Sequence, residues 1–178
     1  MVYVREDYAS YAPPRWAHPT VERLLLSLHP SHVNGLTAIV LTDSNKADAR
    51  KNGRRMRGNR RRGVVGRYHP ASMASQAWIE IVVDRVVPDV PQRLTWLPSV
   101  RDFAMASVLF HEIGHHLHAT VGSAVRGGEL SADDWRLRLS AAHFKRRFWY
   151  LRPVLPLLSG FARRMAKRAR DRRLRRSR

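Results

Sequence analysis

The stretch SVRDFAMASVLFHEIGHHLHATVG, residues 99–122, decides the fold of this chain because it predicts one long helix with a continuous apolar stripe. Ser99 stands three residues before Asp102, which resembles a capping box and marks the helix start. Gly122 marks its end. The apolar residues that recur at helical spacing are Phe103, Ala106, Phe110, Ile113, Leu117 and Val121. The rest of the domain is expected to pack on this stripe.

Within this helix, His111, Glu112 and His115 form a His-Glu-x-x-His motif. A spacing of four residues turns a helix by about 400° and advances it by about 6 Å, so the two histidines share one face. Two imidazoles placed in this way can bind the same zinc ion. Glu112 lies about 100° around the helix, where its carboxylate reaches water beside the metal. The motif predicts a zinc-dependent hydrolase; the alternative is an amphipathic helix with solvated histidines.

A catalytic zinc normally has a third protein ligand, and the stretch Glu129-Leu130-Ser131-Ala132-Asp133 follows the motif. His-Glu-x-x-His followed by Glu-x-x-Ala-Asp resembles the gluzincin metallopeptidases, and the small size makes the chain most similar to their miniature members, the ImmA/IrrE-type peptidases. The resemblance implies peptide-bond hydrolysis with His111, His115 and Glu129 as zinc ligands. It also implies that Glu112 is the general base and that Asp133 orients a ligand histidine.

The third ligand has alternatives in the sequence. Ser131 can cap the next helix, which would leave Glu129 in a loop and make Asp133 or Asp134 the ligand. His143 is another alternative and resembles the SprT-like arrangement with a third histidine. The metzincin pattern is contradicted, because it needs glycine at position 118 and histidine at position 121.

Other residues near the motif have structural interpretations. His116 and His118 are expected to face solvent or to pack, because His118 lies about 10 Å along the helix from His111. Gly114 lowers helix propensity and is expected to let another element approach the helix closely. The sequence leaves open which side chain stabilises the oxyanion of the transition state. The candidates are Tyr68, His69, His143, Tyr150 and Arg152.

Upstream of the motif, the pattern predicts strands at residues 36–42, 64–68 and 77–84. Together with the motif helix they predict an α+β fold, a small zincin-like domain. Its three-stranded sheet packs on the motif helix and on a following helix that carries Glu129. The strand at 77–84 has two interpretations. It is the edge strand on which an extended peptide pairs, as the resemblance implies, or it is an ordinary core strand.

The remaining segments are expected to lie outside the sheet. Residues 1–19 contain three prolines and are expected to form an irregular N-terminal arm. Thr20 caps a short helix. Residues 44–63, rich in Asn, Gly and Arg, predict an exposed basic loop inserted between two strands. The metallopeptidase domain is thus expected to span 20–160, and a basic tail to span 161–178.

Length and composition limit the class of protein. The 178 residues suffice for one domain with a sizeable core. The chain has no cysteine, so that a zinc ion can be held only by His, Asp and Glu. No apolar run approaches the roughly 18 residues of a spanning helix, and the first residues lack the apolar core of a signal peptide. These features predict a cytoplasmic protein, and they indicate no particular oligomeric state.

The net charge of +19 is concentrated in two segments. Residues 46–67 and 163–178 each hold ten Lys or Arg, which leaves 13 basic and 12 acidic residues outside them and two acidic residues inside them. Such segments are suited to phosphate contacts, so nucleic acid or another polyanion is a candidate partner. A solubilising tail is the plainer interpretation, and apolar residues before the tail give weak support for a membrane surface.

Two functions from different classes follow from these features. The first is a zinc metallopeptidase, recruited to nucleic acid by its Arg-rich segments. The second is a polyanion-binding protein whose metal site is structural or vestigial. The second predicts salt-sensitive nucleic-acid binding that Glu112→Gln leaves intact, and no proteolysis. The presence of Glu112 favours the first, because a structural metal site needs no acid that activates water.

Overall fold

The computed structural model describes residues 2–51, 64–73, 75–89, 92–120 and 128–147. The chain divides into two compact units, Met1–Ala141 and Ala142–Arg178. The first unit holds the sheet and most of the helices. Of the second unit, the described part is the end of the last helix. No described helix is long and apolar enough to cross a membrane.

The first unit is built on a mixed sheet. Its strands are β1 (Tyr3–Asp7), β2 (Leu36–Thr42), β3 (Gly66–His69) and β4 (Ala77–Val82). They lie in the order β1-β2-β4-β3, with β1, β2 and β4 parallel and β3 antiparallel to β4. The α+β class is confirmed, but the prediction of a three-stranded sheet is wrong. The fourth strand, β1, lies in the segment that was expected to be an irregular arm.

A carboxylate distant in sequence holds β1 and the residues after it in place. Asp43, which follows β2, is buried, and one of its oxygens accepts hydrogen bonds from the backbone N–H groups of Ala9, Ser10 and Tyr11 at 2.9, 2.9 and 3.1 Å. Its other oxygen accepts from the backbone N–H of Lys46 at 3.0 Å. Burial raises the pKa of Asp43, but these four bonds outweigh it and lower the pKa to about 2. The ionised carboxylate therefore fastens the N-terminal segment to the sheet.

The described residues contain five α-helices: α1 (Ala17–Leu26), α2 (Ser44–Lys51), α3 (Val83–Val86), α4 (Pro98–Thr120) and α5 (Gly128–Arg147). Short 3-10 helices cover Pro30–His32, Val87–Asp89 and Gln92–Leu94. Helix α2 shows that the predicted loop at 44–63 is wrong for its first eight residues. Asp43 caps this helix through the N–H of Lys46. The rest of the predicted loop, from 52 to 63, lies outside the described residues.

The core lies between one face of the sheet and helices α1 and α4. Ile39 and Leu41 of β2, and Ile79 and Ile81 of β4, are fully buried. The predicted stripe of α4 is buried at Ala106, Phe110, Ile113 and Leu117, but Phe103 is 64% exposed and was placed wrongly. Asp102 is buried instead and pairs with Arg23 of α1. This ion pair between helices is what allows a charged residue on the packed side of α4.

The position of β3 matters for the site. Strand β4 pairs with β2 on one side and β3 on the other, so it is an internal strand. The prediction that residues 77–84 form the edge is therefore wrong, and the alternative of a core strand is confirmed. The edge strand beside α4 is β3.

Candidate metal centre

Helix α4 brings His111 and His115 together. Their Nε2 atoms lie 3.2 Å apart, and the two rings are perpendicular with centroids 4.8 Å apart. Both side chains are about three-quarters buried, which limits the number of rotamers they can adopt. One turn of helix therefore suffices to aim two imidazole nitrogens at one point.

Helix α5 adds Glu129, which lies in its first turn and is exposed. The carboxylate oxygens of Glu129 lie 3.5 Å from Nε2 of His111 and 3.6 Å from Nε2 of His115. This approach depends on Gly114. A Cβ atom at Gly114 would lie 2.7 Å from both the Cα and the carbonyl oxygen of Ala132. The expected role of Gly114, close approach of another element, is confirmed.

The three residues form a group whose ligand atoms lie within 4.8 Å of one another, the one such group among the residues that the structure describes. Two imidazoles and a carboxylate are a donor set that suits zinc. Two atoms that lie about 2.0–2.1 Å from a tetrahedral zinc are about 3.3 Å apart, close to the spacings observed here. The group includes neither Asp134 nor His143, which lies in the second unit. The geometry thus fits a zinc ion.

Asp133 contacts His111 from the far side of the ring. Its Oδ1 lies 3.2 Å from Nδ1 of His111 and accepts a hydrogen bond from Nε of Arg136 at 3.1 Å. The hydrogen bond from Arg136 is the main reason that the pKa of Asp133 is lowered. An ionised Asp133 accepts a hydrogen bond from Nδ1–H of His111, which leaves the Nε2 lone pair directed towards His115 and Glu129. Sequence reasoning missed Arg136, although its i,i+3 spacing from Asp133 on a helix is a signal.

The pKa of His115 is lowered by its surroundings. Burial is the main cause that lowers its pKa, and the charge of His111 lowers it further. A lower pKa favours the neutral imidazole, and only the neutral ring offers a lone pair to a metal ion.

Glu112 lies next to this group without belonging to it. It is 7% exposed and faces β3, where a Cβ atom at Gly66 would lie 2.8 Å from its Oε1. Burial raises the pKa of Glu112 to about 7, partly opposed by a hydrogen bond from the backbone N–H of Tyr68. The charge of Glu129 raises the pKa further and that of Arg67 lowers it. A carboxyl group that titrates near neutrality can both accept and return a proton.

The group opens into a cleft of about 780 Å³ between α4, β3 and the start of α5. Strand β3 runs beside α4, with Gly66 near Glu112 and Tyr68 near His116. Besides the candidate ligands, the lining comprises Val64, Val65, Ser107, Val108, Tyr68, Pro70, Ala119 and Arg136.

Of the candidates for oxyanion stabilisation, Tyr68 lines this cleft. His69 stacks on Trp78 with ring centroids 3.8 Å apart and is not part of the lining. Tyr150 and Arg152 lie outside the described residues, and His143 lies in the second unit. His116 is buried and bonded to Tyr68 and to the carbonyl of Asn34, so the packing role expected for it is confirmed. His118 is partly exposed and lies beside Gly128.

Comparison with protein-family models, with curated proteins and with solved structures gives no match for this chain. The interpretation of the site consequently rests on its own chemistry. The basic segments at 46–67 and 163–178 lie largely outside the described residues. Within the described part, Lys46 pairs with Asp7, and Asp48 pairs with Arg85 at 2.7 Å.

Proposed function

We propose that this protein is a zinc-dependent metallopeptidase with His111, His115 and Glu129 as metal ligands and Glu112 as general base. The observation that carries the proposal is the convergence of the three ligand groups within 4.8 Å, next to a buried carboxylate that is not one of them. A structural metal site has no use for such an acid, whereas hydrolysis requires one.

A zinc ion, when bound by these ligands, polarises a carbonyl group and lowers the pKa of water to about 7. Glu112 accepts the proton of the attacking water and passes it to the amine that leaves. Asp133 keeps the Nδ1 proton on His111, so that the Nε2 atom of this residue stays available as a ligand. Arg136 fixes Asp133 in turn. The chain thereby supplies the acid–base group and the orientation of the ligands.

The shape of the cleft supports an extended peptide as substrate. The outer side of the edge strand β3 has no strand partner among the described residues, and it borders the cleft beside Glu112. A peptide in extended conformation can add to such an edge through main-chain hydrogen bonds. Val64, Val65 and Val108 line the cleft with apolar surface that suits apolar side chains.

The first test is the zinc content of protein purified without chelators, for wild type, Glu129→Ala and Glu112→Gln. We expect one zinc per chain in wild type and in Glu112→Gln, and loss of zinc in Glu129→Ala. The matched control is Asp134→Asn. Asp134 lies on the same helix as Glu129, but it pairs with Arg138 and is not one of the three candidate ligands. Wild type without stoichiometric zinc would contradict the proposal.

The second test is peptide-bond hydrolysis, measured by mass spectrometry on a peptide library prepared from a whole proteome. Glu112→Gln is expected to lower kcat by about 10²–10⁴-fold while zinc stays bound, since it removes only proton transfer. Full activity in Glu112→Gln, or cleavage that continues after zinc is removed, would rule out the assigned roles.

A further inference from the structure

A chain of hydrogen bonds connects the edge strand β3 to α4 and to the segment before β2. Nε2 of His116 lies 2.8 Å from the carbonyl oxygen of Asn34, and its Nδ1 lies 3.2 Å from the hydroxyl of Tyr68. A carbonyl oxygen can only accept, so Nε2 carries the proton and Nδ1 accepts from the Tyr68 hydroxyl. The two rings meet edge to face at 5.5 Å, and His116 is 2% exposed. Tyr68 is therefore held in one position.

The backbone of Tyr68 faces the side of β3 that has no strand partner among the described residues. The N–H of Val82 donates to the carbonyl of Val65 at 2.8 Å, so the hydrogen-bonded pairs that follow along the register are Arg67 with Glu80 and His69 with Trp78. In an antiparallel pair, a residue between two such pairs directs its N–H outwards. Tyr68 lies between the last two pairs, and its N–H donates to the carboxylate of Glu112. The outward N–H of Tyr68 in β3 therefore holds the Glu112 side chain beside the candidate ligands His111, His115 and Glu129.

Gly66 makes room for this arrangement. A Cβ atom there would lie 2.6 Å from Cγ1 of Val108 and 2.8 Å from Oε1 of Glu112. The carboxylate consequently occupies a slot between β3 and α4, with Tyr68 bonded to it.

We propose that Tyr68 is a positioning residue for Glu112, that its backbone N–H sets the direction of the general base, and that His116 keeps Tyr68 in place. This inference rests on the proposed peptidase function. One oxygen of Glu112 is held by β3, which leaves the rest of the carboxylate to accept the proton of water. Neither Tyr68 nor His116 needs to touch the substrate for this role.

The test separates positioning from stability by measuring kcat and KM on the library peptide that wild type cleaves best. Tyr68→Phe and His116→Leu each break the chain, and a misplaced general base is expected to lower kcat by about 10–100-fold. The KM and the zinc content are expected to stay within twofold of wild type. The double variant is expected to be no slower than the slower single variant, because both act through one hydrogen bond. Two additive losses, or a change in KM alone, would overturn the role.

Two further variants guard against loss of folding. His116→Gln keeps a donor and an acceptor, so that it is expected to recover kcat to within about threefold of wild type. Thr42→Val is the control, because it removes a buried hydroxyl that donates to the carbonyl of Asp7 at 2.8 Å, two strands away from β3. It is expected to lower stability and to leave kcat unchanged. Failure of His116→Gln to exceed His116→Leu in kcat would overturn the role of His116.

Hydrogen exchange gives a readout that does not depend on activity. In the zinc-loaded protein, the Tyr68 amide is expected to be protected although it faces outwards from an edge strand. Glu112→Ala removes the acceptor and is expected to speed its exchange at least tenfold, as followed by NMR. Exchange that Glu112→Ala leaves unchanged would overturn the inference alone. A wild type that binds zinc, cleaves no library peptide and keeps this protection would instead overturn the peptidase function and, with it, the positioning role.

Discussion

Gly114→Ala tests how Glu129, the proposed third ligand, comes close to His111 and His115. Ordinary van der Waals contact begins near 3.4 Å, but the new Cβ would lie 2.7 Å from the Cα and carbonyl oxygen of Ala132. Because these are backbone atoms, no rotamer change can relieve the overlap. Helix α5 has to move away from α4 by at least 0.3 Å to reach the shortest contacts that Cβ atoms show, and by 0.7 Å to reach ordinary contact. Glu129 in the first turn of α5 moves with it.

The expected effect on zinc is larger than the effect on folding. Alanine favours a helix over glycine by about 1 kcal/mol, whereas overpacking costs about 1–3 kcal/mol, so the net loss of stability is at most about 2 kcal/mol. Distances from zinc to its ligands vary by only about 0.2 Å, and the forced displacement exceeds this. We expect the zinc dissociation constant to rise at least tenfold, as it does when an orienting partner is lost.

The assay is a competition titration of zinc against a chromophoric chelator, combined with urea unfolding of the metal-free protein. Gly128→Ala is the matched control, because a Cβ at Gly128 would meet only the ring of His118 at 3.7 Å, an ordinary contact. Its dissociation constant is expected to stay within twofold of wild type. Adding Ala132→Gly to Gly114→Ala should not restore zinc binding, because the overlap is with backbone atoms. Unchanged zinc affinity in Gly114→Ala would refute the reasoning.

Two further predictions concern stability. Asp43→Asn is expected to lower the free energy of unfolding at pH 7 by about 2 kcal/mol, because the folded state lowers the pKa of Asp43 from 3.8 to about 2. A depressed pKa stabilises the fold above the unfolded value and loses this effect as the pH falls, so the gap between wild type and variant in urea titrations should narrow from pH 4 towards pH 2; a constant gap contradicts it. Zinc at 100 times its dissociation constant is expected to add about 2.7 kcal/mol, seen as a higher melting temperature that EDTA reverses. Equal stabilisation of Glu129→Ala by the same zinc concentration would show that Glu129 is not a ligand.

Local patterns in the sequence predicted the parts of the fold that depend on neighbouring residues. Helix α4 repeats its apolar residues every three to four positions, and that period is independent of the rest of the chain. The same reasoning placed Phe103 in the core, where the structure leaves it exposed. Asp102 is buried in its place because Arg23, 79 residues away, supplies a partner. The apolar period of a helix predicts which of its faces is buried, but it does not predict an ion pair with a residue far away in the sequence.

The missed elements depend on contacts between segments far apart in sequence. Strand β1 has no buried residue of its own, and the residues that follow it are held by Asp43, more than 30 residues away. The same carboxylate caps α2, whose composition alone favours a loop. Which strand lies at the edge is likewise set by pairing across the whole sheet, so that β3 could not be distinguished from β4 in advance.

The parts of the candidate site that consist of side chains could be predicted from the sequence. The spacing of His111 and His115 on one helix face follows from helix geometry, and the structure places Glu129 beside them. The hydrogen bond to Glu112 comes from a backbone N–H, which every residue except proline possesses. Tyr68 therefore leaves no mark in the sequence that identifies this contact.

Gly66 and Gly114 add a search criterion for distant relatives. A Cβ at Gly66 would meet side-chain atoms of Val108 and Glu112, and a Cβ at Gly114 would meet the backbone at Ala132. Both glycines are therefore set by the packing around the candidate site. A fingerprint that combines a strand glycine, His-Glu-x-Gly-His and Glu-x-x-Ala-Asp encodes this packing as well as the candidate ligands. It can separate chains that build this site from chains in which the five-residue motif occurs by coincidence.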